Sequence, residues 1–375
     1  MLKGVYLTLL VGPAVPLPVP QVVLDALTGV EVKSASGERS GFQLRFTLSN
    51  NSPLHTLFLL AGGNPIPMLR VVIVATINGE PNVLMDGVVQ NTQVVPGSDA
   101  QHSTLTVSGE DLSSVMNLID FSGVPYPALP PEARVALIVA KYAFLGIVPM
   151  VIPSVLIDVP IPTERIPRQQ GTDYAYVTSL ADEVGYVFYV DPGPVPGMSK
   201  AYWGPEIKVG PPQPALNMNM DASTNVESLS FTFDAEKKTL PVVWVQIKET
   251  KTVIPIPVPD ITPLNPPLGA IPPIPKRVEN LDMTANQSPV RAALIGLAKA
   301  AKSADAVSAT GTLDVTRYGR ILRSRQLVGV RGAGISFDGL YYCKSVTHTM
   351  KQGEFRTSFT LSRNGLVSTL PQVPA

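Results

Sequence analysis

Apolar and polar residues alternate along much of this chain, and the alternation predicts β-strands. Residues 42–48 alternate strictly, which places their apolar side chains on one face. Residues 71–77 are almost continuously apolar and are followed by Asn78-Gly79, a pair typical of tight hairpin turns. A second hairpin is predicted between residues 83–95 and 103–108. Strands at this spacing indicate a small barrel or sandwich.

The longest predicted hairpin covers residues 336–366. Its strands, residues 339–350 and 354–363, are rich in β-branched and aromatic residues, and the turn Lys351-Gln352-Gly353 offers a glycine where φ is positive. On the second strand, alternation separates an apolar face from a polar one: Phe355, Phe359 and Leu361 against Arg356, Ser358, Thr360 and Ser362. On the first strand it places apolar and charged or polar residues together: Leu340, Tyr342, Val346 and Met350 with Lys344 and His348. Such a mixed face predicts contact with something other than the chain's own core.

The middle of the chain changes to a helical period. Pro130-Pro131-Glu132 predicts a helix start, and an apolar stripe follows it, formed by Leu137, Ile138, Tyr142 and Leu145. A second helix is expected to begin at Thr172 or Asp173 and to end at Gly185. A third is predicted over residues 288–302. Residues 312–330 are expected to return to strand.

Prolines recur through residues 147–167 and exclude helix there. The proline-rich run over residues 254–275 is expected to lie ordered on a surface. The most membrane-like region, residues 135–157, is interrupted by Lys141, Pro149 and Pro153. It contains no unbroken run of about 20 apolar residues, so no transmembrane segment is predicted. The apolar N-terminus is interpreted as a strand that ends in a proline-rich loop, and not as a signal peptide.

Two strand patterns look alike and suggest an internal repeat. STLTVSGEDL, residues 103–112, aligns with TSFTLSRNGL, residues 357–366, so that Thr106 matches Thr360 and Ser108 matches Ser362. The predicted fold is therefore α+β, mainly β, with two small barrel-like β modules in a pseudo-repeat and with helical and proline-rich insertions. The expected parts are a first module (1–112), a helix-containing insertion (113–220), a discontinuous second module (221–250 and 310–368), and a proline-rich loop plus helix (251–309).

The long hairpin also resembles a known family. Its opening Asp338-Gly-Leu-Tyr-Tyr, the Val346-Thr-His strand and the closing Ser362-Arg-Asn-Gly resemble the end of the late control gene D family. Residues 174–193, YAYVTSLADEVGYVFYVDPG, are similar to a helix-then-strand segment of the same family. These proteins are the central baseplate hubs of contractile phage tails and related injection systems, and the match covers about a third of the chain.

The resemblance implies a structural role. Three subunits with two modules each would form a ring of pseudo-sixfold symmetry, which joins a trimeric spike to a hexameric tail tube. The implied partners are two further copies of the chain, a spike protein, a tail tube or tube-initiator protein, and other baseplate components. Because the sequence stops at Ala375, we expect the spike to be a separate protein. The implied localisation is assembly in the bacterial cytoplasm as part of a phage tail or tail-like injection particle.

Composition agrees with an assembling protein. Basic and acidic residues balance at 29 each, so the sequence predicts no nucleic-acid binding. Charged residues are 15% of the chain, against a usual value of about a quarter. With a mean hydropathy of +0.21, this low charge indicates apolar surface buried between subunits; a large well-packed monomer is the alternative.

The sequence contains no recognisable catalytic, cofactor or metal motif. Its single cysteine, Cys343, excludes an internal disulfide, and strict alternation puts His348 on the opposite face of the same strand. The three histidines, His55, His102 and His348, lack metal-ligand spacing. We therefore expect no enzymatic activity. A tail-associated cell-wall hydrolase and a β-rich adhesin or binding module remain as rival functions.

Interface residues are expected mainly on the hairpin. The candidates are Tyr341, Tyr342, Lys344, His348, Gly353, Arg356, Arg363 and, outside the hairpin, Trp203. A series of arginines precedes them: Arg317, Arg320, Arg323, Arg325 and Arg331. Two interpretations of this series are open: a ring of positive charge in an oligomer, or an ordinary solvated strand face. The sequence slightly favours the second.

Overall fold

The computed structural model describes residues 4–13, 15–48, 52, 54, 57–58, 68–97, 103–154, 162–163, 166–246, 253–257, 266–281, 292, 295–297, 299–300 and 303–370. The helix expected over residues 288–302 falls largely outside these residues, as do parts of both proline-rich segments.

The described chain is mainly β, as predicted. Its strands are β1 Val5–Gly12, β2 Leu17–Pro18, β3 Leu27–Ala35, β4 Gly41–Leu48, β5 Arg70–Ile77, β6 Glu80–Pro96, β7 Ser103–Asp111, β8 Ile147–Val151, β9 Val187–Pro192, β10 Ser199–Gly204, β11 Gln213–Asn217, β12 Val226–Phe233, β13 Thr239–Gln246, β14 Val253–Pro257, β15 Gly269–Ile271, β16 Arg277–Leu281, β17 Val307–Asp314, β18 Leu327–Arg331, β19 Gly339–Lys351, β20 Glu354–Arg363 and β21 Leu366–Ser368. The α-helices are α1 Gln21–Asp25, α2 Pro131–Ala140, α3 Asp173–Val184 and α4 Val315–Tyr318.

One large sheet runs through both expected modules. Its strand order is β12-β17-β20-β19-β3-β4-β7-β6-β5-β1-β2, and β18 and β11 branch from β19. The antiparallel ladder between β19 and β3 joins the two halves of the sheet. Because this order has ends, the described strands do not close into a barrel.

Two blocks of four strands have the same order and the same pairing. The first block is β3-β4-β7-β6, and the second is β12-β17-β20-β19. Leu27 pairs with Phe46 in the first block, as Val226 pairs with Leu313 in the second. A fifth strand lies beside the last strand of each block, β5 beside β6 and β18 beside β19. The expected repeat is therefore present.

The bulges repeat as well. Four single-residue shifts in pairing fall at equivalent places: between Leu27 and Gly29 in β3, Val226 and Ser228 in β12, Val89 and Asn91 in β6, and Cys343 and Ser345 in β19. A bulge places two residues of one strand opposite one residue of its neighbour and bends the strand. Equivalent bulges show that the two blocks match residue by residue.

The alignment that we predicted for the repeat is wrong by two residues. Asn91 pairs with Ser108 in the first block, and Ser345 pairs with Thr360 in the second. Ser108 is thus equivalent to Thr360 and not to Ser362. Side chains alternate with a period of two in a strand, so a slip of two residues keeps the apolar and polar pattern.

The apolar faces of both blocks share one core. It includes Phe46 and Leu105 from the first block and Phe359 and Leu361 from the second, all at most 3% exposed. Two contacts fold the β5–β6 turn onto the second half of the chain: Asn78 Nδ2 donates to the Gly319 carbonyl at 3.2 Å, and Arg323 Nη2 donates to Asn82 Oδ1 at 3.0 Å. Burial of this shared apolar surface stabilises both blocks together.

The bulge at Lys344 corrects the faces predicted for β19. Strict alternation placed Tyr342, Lys344 and His348 on one face of β19 and Cys343 on the other face. In the structure Cys343, Val346 and His348 are all buried, and the first two belong to the shared core, because the extra residue reverses the alternation. Tyr342 instead packs with Leu327 on the other face. The mixed face therefore does not exist.

A helical insertion forms a second core. Strands β8, β10 and β9 make a three-stranded sheet, against which α2 and α3 pack. As predicted, Thr172 caps α3 by accepting the Ala175 N–H at 3.2 Å, and Gly185 ends it with φ of +72°. The predicted stripe of α2 is wrong at Leu137, which is 56% exposed. The other predicted members, Ile138, Tyr142 and Leu145, do face the core, and Val135 and Val139 join them.

The strand predicted over residues 312–330 is present only at the two ends of that range. Strand β17 ends at Asp314, whose carboxylate accepts the Thr316 N–H at 2.8 Å and so starts α4. Gly319, with φ of +78°, ends this short helix, and β18 begins only at Leu327.

The expected domain boundaries stay predictions. Strand β11 lies within the range assigned to the helical insertion, yet it pairs with β18 of the second block. Strands β13, β14 and β16 form a separate three-stranded sheet, which spans two of the expected parts.

We predict that the buried His348 makes the stability of the protein decrease in acid. His348 lies in the ladder that joins the two blocks. Burial, with the charge of Arg323 adding to it, lowers the pKa of His348 from 6.5 to about 4. The unfolded chain therefore binds this proton at a higher pH than the folded chain. The stability is fully present above pH 6.5 and falls as the pH falls towards 4, by about 3 kcal/mol at most.

Urea unfolding at pH 7, 6, 5 and 4 checks this prediction by comparison of the wild type with His348→Gln. Carboxylates contribute the same pH dependence to both proteins, so the difference between the curves isolates the histidine. We expect the wild type to lose more stability than the variant over this range. Parallel curves would contradict the assignment.

Candidate interaction surfaces

Five of the eight expected interface residues are buried by the chain's own atoms. They are Trp203, Tyr341, Tyr342, His348 and Arg363, none of them more than 4% exposed. Trp203, for example, packs edge-on against Tyr186 with ring centroids 4.9 Å apart. These side chains offer no surface to a partner in this structure. The assignment of the eight residues to an interface stays a prediction, and a contact of the hairpin with a partner would use its exposed residues.

Arg363 organises the loop that precedes β19. Its guanidinium donates to the carbonyls of Ser336, Asp338 and Gly365 at 2.7–2.9 Å and lies 4.5 Å from the centre of the Tyr341 ring. Burial lowers the pKa of Arg363 from its ordinary value. Three carbonyl acceptors satisfy this buried cation and so fix this end of the hairpin.

Lys344 belongs to a buried ionic cluster. Its Nζ lies 3.2 Å from the carboxylate of Asp305, which also binds Lys208 Nζ at 2.7 Å and accepts from Ser362 Oγ at 2.8 Å. Burial alone would raise the pKa of Asp305, but the two lysines outweigh it and lower the pKa to about 2. Lys344 keeps 37% of its side chain exposed. Lys344 therefore stabilises the fold through Asp305, and the exposed part of its side chain also forms part of the surface.

Gly353 and Arg356 are the exposed members of the predicted set. Gly353 forms the hairpin turn with φ of +80°, as predicted. Arg356 leaves 55% of its side chain exposed, and its Nε lies 3.3 Å from Glu227 and 2.8 Å from Glu354. Its charge is thus paired at the edge of the sheet.

Arg325 connects three parts of the chain. It donates to Ser34 Oγ, the Ala35 carbonyl and Ser40 Oγ of the first block, and pairs with Asp191 of the helical insertion. The guanidinium also stacks 3.9 Å from the centre of the Tyr189 ring. It is therefore a buried clamp and not part of a charged surface. The arginine series does not lie on one strand face, because α4 and the following loop separate its members.

A second clamp holds the insertion to the first block. Arg70 binds Asp86 through two parallel hydrogen bonds of 2.7 Å and donates to the Gly197 carbonyl at 2.9 Å. Ser199 Oγ donates to Asp86 at 3.2 Å. Sequence reasoning missed both clamps, since their members lie far apart in the chain.

The outer face of the second block is rich in hydroxyl groups. A shallow depression of about 460 Å³ lies over it. Its hydroxyl-bearing residues are Ser228, Ser230, Thr310, Thr312, Ser345, Thr347, Ser358 and Thr360. Ser228 meets Thr312 at 2.8 Å and Ser230 meets Thr310 at 3.0 Å across neighbouring strands. The predicted polar face of β20 lies here.

Each of the two blocks has one strand edge that no other described strand covers. Strand β12 ends the large sheet and pairs with β17 alone. The last six residues of β6, from Asn91 to Pro96, pair with β7 on one side, whereas β5 reaches only Val88 on the other. Unpaired edges of this kind are templates for another strand.

The described residues show no arrangement that points to catalysis. No group of three or more His, Cys, Asp or Glu that could hold a metal is found among them. Burial raises the pKa of the Cys343 thiol, which makes it a poor nucleophile. None of the described helices is long and apolar enough to span a membrane.

Comparison with known proteins identifies relatives by structure. Neither a family model nor a curated protein sequence matches the chain. A tail protein from Neisseria meningitidis MC58 matches with a TM-score of 0.62 and 14% identity, over 97% of this chain and 98% of that one. The 43 kDa tail protein of prophage MuSo2 from Shewanella oneidensis matches with a TM-score of 0.60 and 12% identity, over 96% and 98%.

A third match comes from a secretion system. The E. coli c3393 protein is described as a component of the type VI secretion system, with structural similarity to the T4 bacteriophage tail proteins gp27 and gp5. It matches with a TM-score of 0.52 and 12% identity, over 93% of this chain and 77% of that one.

The chain therefore has the fold of a phage tail protein. Identities of 12–14% make this a likeness of fold alone. The matches to a prophage tail protein and to a type VI secretion system component agree with the resemblance between the long hairpin and the baseplate hub family. The fold implied by that resemblance is confirmed.

We predict that Arg325→Met destabilises the chain by about 3–5 kcal/mol, because it leaves Asp191 and several buried acceptors without their cation. Arg356→Met is the matched control, and its exposed ion pairs should contribute less than about 1 kcal/mol. Denaturant unfolding of both variants measures the difference. Equal effects would show that Arg325 is not the clamp.

Proposed function

We propose that this protein is the structural hub of a contractile tail or injection system. In this proposal it is a trimeric adaptor that joins a trimeric spike to a hexameric tail tube. The observation that carries the proposal is the internal repeat, in which two four-strand blocks match in order, pairing and bulges within one sheet. The likeness of fold to tail proteins over nearly the whole chain supports it.

The repeat supplies a physical reason for an adaptor. Three copies with two blocks each present six similar units, so a threefold ring can meet a sixfold tube on one face. The other face keeps threefold symmetry for a spike. Other baseplate components would bind the periphery, and the particle would assemble in the bacterial cytoplasm. No nucleic-acid binding is part of this role.

We also propose that the role is not enzymatic. Several of the charged groups described above are engaged in buried clamps and clusters, as with Asp305 and Arg325, and the Cys343 thiol is buried with a raised pKa. A zymogram on peptidoglycan with the purified protein should show no clearing. Clearing would favour the tail-associated hydrolase instead.

Electron microscopy of the protein co-expressed with the neighbouring spike and tube genes tests the adaptor. We expect a threefold ring with a spike on one face and tube subunits on the other. A stable monomer that binds neither partner would overturn the proposal and would favour a β-rich adhesin or binding module.

A further inference from the structure

Two asparagines of this chain are followed directly by glycine, in the pairs Asn78-Gly79 and Asn364-Gly365. In such a pair the backbone nitrogen of the glycine lies next to the carbonyl carbon of the asparagine side chain. Because glycine has no Cβ, its nitrogen reaches that carbon with little steric hindrance. Attack there displaces the side-chain amide as ammonia. The fold places the two pairs in very different surroundings.

The first pair forms an open turn between β5 and β6. Asn78 and Gly79 are both exposed, with φ of +51° and +86°, the values of a two-residue type I′ turn. Ile77 pairs with Glu80 across the turn, so the Gly79 N–H lies outside the ladder. Among the described residues beyond its chain neighbours, nothing lies within 4 Å of where a Cβ of Gly79 would stand. The turn therefore leaves room for a ring to form between side chain and backbone.

The second pair is held on several sides. Asn364 Oδ1 accepts the N–H groups of Leu268 and Gly269, at 2.9 Å and 3.0 Å. Gly365 is buried, and a Cβ there would lie 2.6 Å from the carbonyl oxygen of Ile271. The Asn364 side chain cannot turn towards the Gly365 nitrogen unless both of its hydrogen bonds break. This pair serves as an internal reference.

We propose that Asn78 is a site of spontaneous deamidation in the folded protein, and that the reaction releases the β5–β6 turn from α4. The Gly79 nitrogen forms a bond to Cγ of Asn78 and gives up its proton. The bond from Cγ to Nδ2 breaks, and ammonia leaves with that proton. Water then opens the succinimide ring at one of its two carbonyl groups and yields aspartate or isoaspartate. One water is consumed and one ammonia is released, with no change of oxidation state.

The reaction removes a donor from a contact between distant parts of the chain. Asn78 Nδ2 donates to the carbonyl of Gly319, the residue that ends α4, at 3.2 Å. Aspartate at this position has no side-chain N–H, so an ionised carboxylate would face a carbonyl oxygen, and both groups are acceptors. Glu80, exposed in the same hairpin, adds a second negative charge nearby. An attractive contact thus becomes a repulsive one.

Isoaspartate alters the turn itself as well. Its main chain runs through Cβ, which makes the turn one atom longer. A two-residue turn fits the twist of its flanking strands at its normal length, so the pairing of Ile77 with Glu80 is disturbed. The Asn78 N–H, which donates to the Gly4 carbonyl at 3.1 Å, is displaced with it. Deamidation is irreversible, so the loosening accumulates as the protein ages. This inference concerns one turn and does not depend on the proposed function.

Peptide mapping by mass spectrometry tests the site on purified protein held at pH 8.5 and 37 °C. We expect the amide-to-carboxyl conversion to be at least about tenfold faster at Asn78 than at Asn364, because an exposed turn opens more readily than a packed segment. Isoaspartate at position 78 should accept a methyl group from a protein isoaspartyl methyltransferase. In urea, both sites should convert at similar rates, since each is followed by glycine. Equal rates in the folded protein, or no conversion at Asn78, would overturn the proposal.

Hydrogen exchange of the Asn78→Asp variant tests the release. The Gly319 N–H donates to the Val315 carbonyl at 2.8 Å and reports on the end of α4. We expect it to exchange at least about threefold faster in the variant than in the wild type. Unchanged exchange would show that the turn is not released.

Asn82→Asp is the matched control, because it places the same charge in the same hairpin. Asn82 Oδ1 accepts from Arg323 Nη2 at 3.0 Å, and a carboxylate at this position still accepts that bond. We expect Asn82→Asp to leave the exchange of Gly319 at the wild-type rate. Equal acceleration in both variants would assign the effect to charge alone and would contradict the loss of the Asn78 donor as its cause.

Discussion

The ladder between β19 and β3 is the contact on which the architecture depends. It joins two equivalent four-strand blocks into one sheet and lets their apolar faces share a core. The bulge at Lys344 makes this possible, because it turns the second half of β19 so that Val346 and His348 face that core. Before the bulge β19 pairs with β18, and after it β19 pairs with β3. One extra residue thus lets a single strand serve two neighbours.

Buried charges hold the remaining parts against this sheet. Arg325 and Arg70 fix the helical insertion to the blocks, and the cluster around Asp305 ties the segment near Lys208 to β19. Buried pairs of this kind add little net stability over apolar packing, but removal of one partner is strongly destabilising. Their effect is to select a single arrangement of the parts.

The repeat links this architecture to the proposed role. A hub must offer similar surfaces at regular intervals, and a duplicated block within each chain provides two from one polypeptide. The same duplication explains why both blocks carry bulges at equivalent places. It also explains why one block-to-block junction is satisfied within the chain while its counterpart is open. The fold and the proposed role thus both rest on one duplicated unit.

The sequence by itself determined the elements whose causes are local. The Asn78-Gly79 turn, the Thr172 cap and the Gly185 stop each depend on a few adjacent residues. It also indicated the mainly β fold and the existence of a repeat. Only the tertiary structure decided the register of that repeat and the faces of β19. A slip of two residues preserves the alternating pattern, and a bulge reverses it without a sequence signal of its own. For the same reason, burial of Trp203, Tyr341 and Arg363 became visible only when distant strands were brought together.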